Sequence, residues 1–246
     1  MQLTANNIFQ KTANIFFSAL FISGLVVMTA TCSEKETTQN QTEEPAPETF
    51  TLFEVGRNSL MSKRMRQDLG DKLGRDAIEG RSLLNLEINY PGFLSSYFPD
   101  IDKLNQQLNF PPGERIDHNT IKLMYRYAQR RNIPFDYVEL IFSDYTQKPV
   151  LIRIHFKKDE SNIIKTLEAK YGPPTSIKWE KENGSSFYWT KDNDVLVVSM
   201  VPNQFGRPEY QIVIYFTENL NELITAEQAE KEAHEQKRAK SGKTAF

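Results

Sequence analysis

Hydrophobic and polar positions divide the chain into four stretches of different character. An apolar run from Ile15 to Met28 is followed by a polar stretch, Ser33 to Thr49, that contains no Val, Ile, Leu or aromatic residue. Apolar positions recur from Phe50 to Leu223, whereas alanine is the only apolar residue between Ala226 and Lys243. The pattern predicts one folded domain at 50–223, preceded by segments 1–31 and 32–49 and followed by a charged tail, 224–246, that is helical or frayed.

The first half of the predicted domain, about 50–134, has the pattern of helices and irregular turns. Apolar residues at i, i+3, i+4 and i+7 predict an amphipathic helix from Asn119 to Arg131. These apolar positions are Ile121, Met124, Tyr125 and Ala128. A second helix is predicted to start near Asp100, and an earlier, basic helix is predicted to end at Gly70.

Alternating apolar and polar residues in the second half, about 135–216, predict strands. Two candidates, 135–144 and 148–157, are joined by a short turn, which predicts an antiparallel hairpin. A helix from Ser161 to Tyr171 follows, and more strands complete the domain. The order of these elements predicts an α+β fold, in which a helical N-terminal half precedes an antiparallel sheet with one inserted helix packed on it.

One strand register is predicted in detail, around the Asn-Gly pair at 183–184. A three-residue loop, Glu182 to Gly184, would pair Trp179 with Phe187 across two neighbouring strands. This register gathers the large apolar side chains on one face of the sheet.

Composition and charge narrow the class of protein. The 246 residues are 39% hydrophobic and 25% charged, which is ordinary for a globular protein, and the formal net charge is -2. Lys11 is the only charged residue of segment 1–31, so the remainder of the chain carries a net charge near -3. This balance disfavours a nucleic-acid partner.

The first 32 residues have the order of an export signal. Lys11 precedes the apolar run Ile15 to Met28, which is too short for a comfortable bilayer span, and the small residues 29–31 come next. Cys32, the only cysteine, stands directly after them. This arrangement resembles the signal peptide and lipobox of bacterial lipoproteins, which implies cleavage before Cys32 and attachment of fatty acyl chains, palmitate among them, to that residue.

The resemblance implies a location as well. A lipidated Cys32 makes the membrane a partner, and segment 32–49 is then a disordered tether because it has too little apolar surface to fold. The protein would face the periplasm from the bacterial cell envelope. Ser33 resembles the sorting pattern for the outer membrane, where a cell has two membranes. Two alternatives stay open, an uncleaved signal anchor and ordinary cleavage after Cys32.

Candidate catalytic chemistry is sparse. No metal-binding spacing and no cofactor motif occurs, and His118, His155 and His234 lie far apart in the sequence. His118 has two carboxylates nearby, Glu114 and Asp117, and a carboxylate beside an imidazole can support general base chemistry. The same residues, placed just before a predicted helix, are also typical of capping and surface positions.

A cluster with binding character lies in the predicted helix 119–131. It consists of Tyr125, Arg126, Tyr127, Arg130 and Arg131. On a helix the arginines would present forked donors beside aromatic rings, suited to carboxylates or phosphates. Lys63, Arg64 and Arg66 could likewise approach an anionic membrane surface. Both groups are also compatible with ordinary solvated faces.

These patterns favour a membrane-anchored envelope lipoprotein with a non-enzymatic binding or assembly role. Its expected partner is an envelope protein or an anionic polymer, and no cofactor or metal is expected. The alternative is a hydrolase acting on an envelope polymer through His118. Oligomeric state and ligand identity are left open by the sequence.

Overall fold

Eight antiparallel strands form a single sheet in the part of this protein that the structure describes. The computed structural model describes residues 49–246 apart from residues 132, 157–161, 180–183, 203–204 and 245–246. The strands are β1 (Ala77–Ser82), β2 (His118–Tyr125), β3 (Tyr137–Ser143), β4 (Pro149–Phe156), β5 (Thr175–Lys178), β6 (Ser185–Lys191), β7 (Asp194–Pro202) and β8 (Pro208–Tyr215). Their spatial order is β1-β2-β3-β4-β8-β7-β6-β5. Strand β8 therefore pairs with β4 and lies between β4 and the strands β7, β6 and β5.

Helices lie on both faces of the sheet. They are α1 (Lys63–Leu73), α2 (Phe93–Tyr97), α3 (Pro99–Leu108), α4 (Ile163–Tyr171) and α5 (Thr217–Thr244), with one turn of 3-10 helix at Ala128–Arg131. On the first face, segment 50–55, α1 and α4 pack over one hydrophobic cluster. On the second face, segment 84–98, α3 and the start of α5 cover another.

Central strands are therefore buried on both sides. In β3, Leu140 and Phe142 belong to the first cluster, whereas Ile141 between them belongs to the second. β7 repeats this alternation with Leu196 and Val197. Strands buried on both faces have nearly continuous apolar sequences, so their alternation is hidden in the sequence.

The predicted helical N-terminal half is wrong. Residues 118–125 form strand β2, which pairs with β1 on one side and with β3 on the other. Leu123 and Tyr125 point to the first face, while His118 and Thr120 are buried on the second. The apolar positions that fit a helical period also fit a strand. Pairing with β1 and β3 favours the strand, because β-propensity depends on the neighbouring strands.

Other predicted elements are confirmed in kind. β3 and β4 form the expected antiparallel hairpin, with Leu140 opposite Ile152. The helix near Asp100 is α3, and its buried residues are Ile101, Leu104 and Leu108. The basic helix α1, however, continues through Gly70 and ends at Gly74.

The predicted register of the β5–β6 hairpin is wrong. Ile177 pairs with Ser186, and the Trp179 N–H donates to the Gly184 carbonyl over 3.2 Å. Trp179 therefore lies opposite Gly184, three residues away from the predicted partner Phe187. Trp179 consequently packs on the second face and Phe187 on the first. The Trp179 indole N–H donates to the buried Ser186 Oγ over 3.1 Å.

The last helix, α5, crosses the predicted boundary at residue 223. Its first turns bury Leu220, Leu223 and Ile224, and from Gln228 to Ser241 its side chains are exposed. Within the described residues, no helix is both long enough and apolar enough to cross a bilayer.

A buried ion pair fixes the start of α5 to the N-terminal segment. The Arg57 guanidinium donates from Nε to Asp194 Oδ2 over 2.7 Å, and the Thr217 backbone N–H donates to Asp194 Oδ1 over 3.0 Å. Asp194 is 0% exposed, and burial raises the pKa of its carboxyl although Arg57 and Thr217 act against that rise. A buried carboxylate of this kind depends on its cation.

Arg57→Met is expected to lower the free energy of unfolding by about 3–5 kcal/mol at neutral pH, because it leaves a buried carboxylate unpaired. Because the folded-state pKa of Asp194 is raised, ionisation of this carboxyl destabilises the folded protein. The destabilisation is absent below the pKa of Asp in the unfolded chain, about 4. It grows as the pH rises through the folded-state pKa. Urea titrations at several pH values measure both effects. Arg115→Met, in an exposed pair with Asp117, is the control and should cost less than about 1 kcal/mol. Equal losses in the two variants would contradict the assigned role of Arg57.

Candidate anion-binding site

Helix α1 presents its basic residues on a well-formed scaffold. The Ser62 hydroxyl accepts from the Met65 backbone N–H over 3.1 Å, which caps the first turn. Leu69 and Leu73 are buried against the sheet, so the polar side of the helix faces outward. The helix ends at Gly74, whose φ of 90° and ψ of -162° are accessible essentially only to glycine.

An open pocket of about 590 Å³ follows the outward side of α1 and is called the basic pocket here. It is lined by Lys63, Arg66, Gln67, Gly70, Gly74, Arg75, Asp76 and Arg131. Four of these side chains are cations and one is a carboxylate, so the lining has a net charge of about three positive units at neutral pH. Such an excess attracts anions.

Asp76 organises this pocket through Arg66. Two nearly parallel hydrogen bonds join them, from Arg66 Nε to Asp76 Oδ2 (2.5 Å) and from Arg66 Nη2 to Asp76 Oδ1 (3.0 Å). The bond from Arg66 lowers the pKa of Asp76 below its ordinary value, so the carboxylate is ionised at neutral pH. The pair fixes the loop after Gly74 alongside α1, and Lys63, Arg75 and Arg131 line the same pocket.

Arg131 reaches the basic pocket from a distant part of the sequence. It ends the 3-10 turn that follows β2, and its side chain lies beside Gly74, where an added Cβ would be 3.6 Å from Arg131 Nε. Tyr125 and Ala128 bury the base of this turn in the first hydrophobic cluster. The turn is thus held in place by the sheet and not by helix α1 alone.

The structure separates the residues of the predicted binding cluster. Tyr125 is 0% exposed, its hydroxyl has no hydrogen-bond partner among the described residues, and burial raises its pKa. Arg126 and Tyr127 are exposed just after β2, and the side chain of Arg130 lies outside what the structure describes. Among the side chains of this cluster that the structure describes, only Arg131 lines the basic pocket. The predicted helical face does not exist because residues 118–125 form a strand.

Two further residues of the pocket are not indicated by any pattern in the sequence. Arg75 and Asp76 lie between the end of α1 and the start of β1, in a stretch without a motif. The Gly74-Arg75-Asp76 sequence could have suggested a turn that returns charged side chains along the preceding helix, although nothing local indicates Arg131 as their neighbour.

His118 has a different partner from the one predicted. Its Nδ1 lies 2.8 Å from Glu227 Oε2 of α5, and Glu227 Oε1 accepts from the Asn119 backbone N–H over 2.7 Å. Glu230, one turn further along α5, accepts from the hydroxyl of Tyr145 and from the Asn119 side chain. These contacts attach α5 to the start of β2.

A general base role of His118 is poorly supported by this geometry. The residue is 2% exposed, and its Nε2 is buried without a hydrogen-bond partner in the part of the chain that the structure describes. Asp117 accepts from Arg115 over 3.3 Å, and Glu114 is exposed in the preceding turn. The ring borders a cleft of about 750 Å³, but its free nitrogen atom is not accessible to a substrate.

The two remaining histidines, His155 and His234, are exposed. The described residues contain no group of three His, Cys, Asp or Glu side chains suited to a metal ion. Cys32 and the segments 1–31 and 32–48 lie outside the described residues.

No protein-family model, curated protein or solved structure matches this chain.

Two glycines of the basic pocket make a matched test of its backbone. Gly74→Ala should cost about 1–3 kcal/mol, because alanine is strained at φ 90°. Gly70→Ala should instead stabilise the protein by about 0.5–1 kcal/mol, since Gly70 lies inside α1 and a Cβ there meets no atom within 4 Å. Thermal and urea unfolding measure both. Destabilisation by Gly70→Ala would contradict the continuation of α1 to residue 73.

Proposed function

We propose that this protein is a lipid-anchored protein of the bacterial cell envelope, and that its folded domain binds anionic groups of an envelope partner in the basic pocket. The anchor is Cys32, and the role of the domain is binding or assembly and not catalysis. The partner supplies phosphates or carboxylates, the groups that arginine forks bind best.

The observation that carries this proposal is the convergence of four cations from three chain segments. Lys63 and Arg66 come from α1, Arg75 from the loop before β1, and Arg131 from the turn after β2. Like charges repel one another, so holding them together around one pocket costs free energy that an anion would recover. Asp76, the one carboxylate among the described lining residues, is paired to Arg66 and offsets only part of this repulsion.

The anchor is supported by the order of the N-terminal residues. Lys11, the apolar run, Cys32 and the polar segment together match a signal, an acylation site and a tether. Phe50, the first residue after the polar segment, is buried in the first hydrophobic cluster. A domain held in this way meets envelope partners at high effective concentration.

A hydrolase centred on His118 is the weaker candidate. The buried Nε2 atom and the contacts of Glu227 with both His118 and Asn119 favour a structural attachment of α5. A general base must instead come within hydrogen-bond distance of the proton that it removes.

The basic pocket can be tested with inorganic polyphosphate as a probe. Arg75→Glu combined with Arg131→Glu should weaken binding at least about tenfold, because two forked donors are replaced by carboxylates. Isothermal titration calorimetry at fixed low salt measures the affinity.

The control for this test is Arg126→Glu combined with Lys165→Glu, two exposed cations outside the pocket. It changes the net charge equally and should alter the affinity no more than about twofold. Equal weakening by both pairs would mean that only net charge matters, and the pocket would then not be a binding site.

The anchor is tested by mass spectrometry of the mature N-terminal peptide from a bacterial host. A diacyl or triacyl mass on Cys32 is expected, and Cys32→Ala should lose both this mass and acyl-dependent membrane association. An unmodified N-terminus would contradict lipidation and would favour the signal-anchor or secreted alternative.

A further inference from the structure

We infer that the basic pocket binds a linear polyanion whose anionic groups are separated by neutral units, and that this ligand lies along α1 and passes over Gly70. This inference rests on the proposed function, since it names the class of anionic partner that the pocket takes. It is carried by the spacing of the cations, by the uncharged middle of the pocket and by a glycine that the fold itself does not require.

The cations of the basic pocket are spread along the helix. Lys63 opens α1, whereas Arg75 follows Gly74 at its other end, and Arg131 lies beside that glycine. The 11 residues of α1 rise about 1.5 Å each, so its two ends lie about 15 Å apart. A single anion bound at one end therefore leaves the cations of the other end unneutralised, whereas a chain of anions neutralises both.

The middle of the pocket carries no net charge. Asp76 neutralises Arg66 through two hydrogen bonds, and Gln67 and Gly70 are uncharged. The Asp76 side chain is 13% exposed against 44% for Arg66, so the cation is the more accessible member of the pair. Net positive charge therefore lies at the two ends, which fits a ligand with neutral units between its anionic groups better than one with contiguous charges.

Gly70 lies in the interior of α1 although the fold does not require glycine there. Glycine destabilises a helix interior relative to alanine, because it loses more backbone freedom on folding. A Cβ added at Gly70 would meet no atom of the described residues within 4 Å, and its φ is not positive, so neither packing nor backbone geometry excludes a side chain. Gly70 lines the pocket between its two cationic ends. The missing side chain leaves room for a ligand to pass close to the helix backbone.

The donors at the two ends suit either of two anionic groups. Arg75 and Arg131 can bind phosphate or carboxylate oxygens through forked N–H donors, and Lys63 offers a point charge to both. Phosphodiester chains and polyuronates each carry such groups at intervals along a linear chain. A chain bound at one end presents its next anionic groups to the other end at high effective concentration, so contact at both ends raises the affinity.

Titration calorimetry with oligomers of defined length tests this assignment. The full-length protein in neutral detergent is titrated at fixed low salt with glycerol phosphate oligomers of one, three and six units, and with galacturonate oligomers of the same lengths. The affinity should rise at least about tenfold from one unit to an oligomer that reaches both ends. Tighter binding of one series identifies phosphate or carboxylate as the anionic group. Affinity independent of length in both series would overturn the linear ligand.

A contiguous polyphosphate tests the neutral spacing. With the same number of charges it is shorter than a spaced oligomer and does not reach both ends, so it should bind more weakly. The reverse order of affinities would overturn the inferred spacing.

Gly70→Leu tests the passage over α1, because it fills the middle of the pocket without changing charge. It should abolish the dependence of affinity on length, while the circular dichroism melting temperature should not fall, since leucine favours a helix. Ala229→Leu adds a leucine at an exposed helical position outside the pocket and should change the affinity no more than about twofold. Equal effects of the two substitutions, or full length dependence in Gly70→Leu, would overturn the passage over Gly70.

Failure of this inference and failure of the proposed function give different results. Length-independent binding that is lost in Arg75→Glu with Arg131→Glu would overturn the linear ligand and leave the anion-binding pocket standing. Absence of binding by polyphosphate and by both series of oligomers would overturn both proposals.

Discussion

The buried pair of Arg57 and Asp194 is the contact on which the arrangement of the whole domain depends. Asp194 opens β7 and accepts hydrogen bonds from Arg57 and from Thr217 at the start of α5. Asn219, in the first turn of that helix, donates to the carbonyls of Arg57 and Pro149. The N-terminal segment of the first face and the long helix of the second are thus attached to one corner of the sheet, and the carboxylate also lies favourably at the positive end of α5.

A sheet buried on both faces needs a cover on each, and this requirement produces the basic pocket. α1 covers the first face through Leu69 and Leu73, which forces its charged side outward. The chain leaving β2 must likewise bury Tyr125 and Ala128, which brings Arg131 to Gly74. The cations meet because two covering segments share one hydrophobic cluster.

Sequence reasoning was most successful where the local signal was strong. The β3–β4 hairpin is bounded by a polar turn, and α3 has Ile101, Leu104 and Leu108 on one side, so both were recognised. The predicted helix from Asn119 to Arg131 is wrong because apolar residues at 121, 124 and 125 fit a helix as well as a strand with buried residues on both faces. The β5–β6 register failed for a related reason, since grouping Trp179 with Phe187 assumed one apolar face where the sheet has two.

The sequence by itself determined the elements whose caps, turns and periodicity are local, such as the β3–β4 hairpin and α3. These features depend on residues a few positions apart, whose energetics the chain carries wherever it folds. Only the tertiary structure decided which strands are buried on both faces, that β8 lies beside β4, and that Arg66, Arg75 and Arg131 share one pocket. Such proximity depends on how distant segments compete to cover the same apolar surface, and that competition has no period or motif in the sequence.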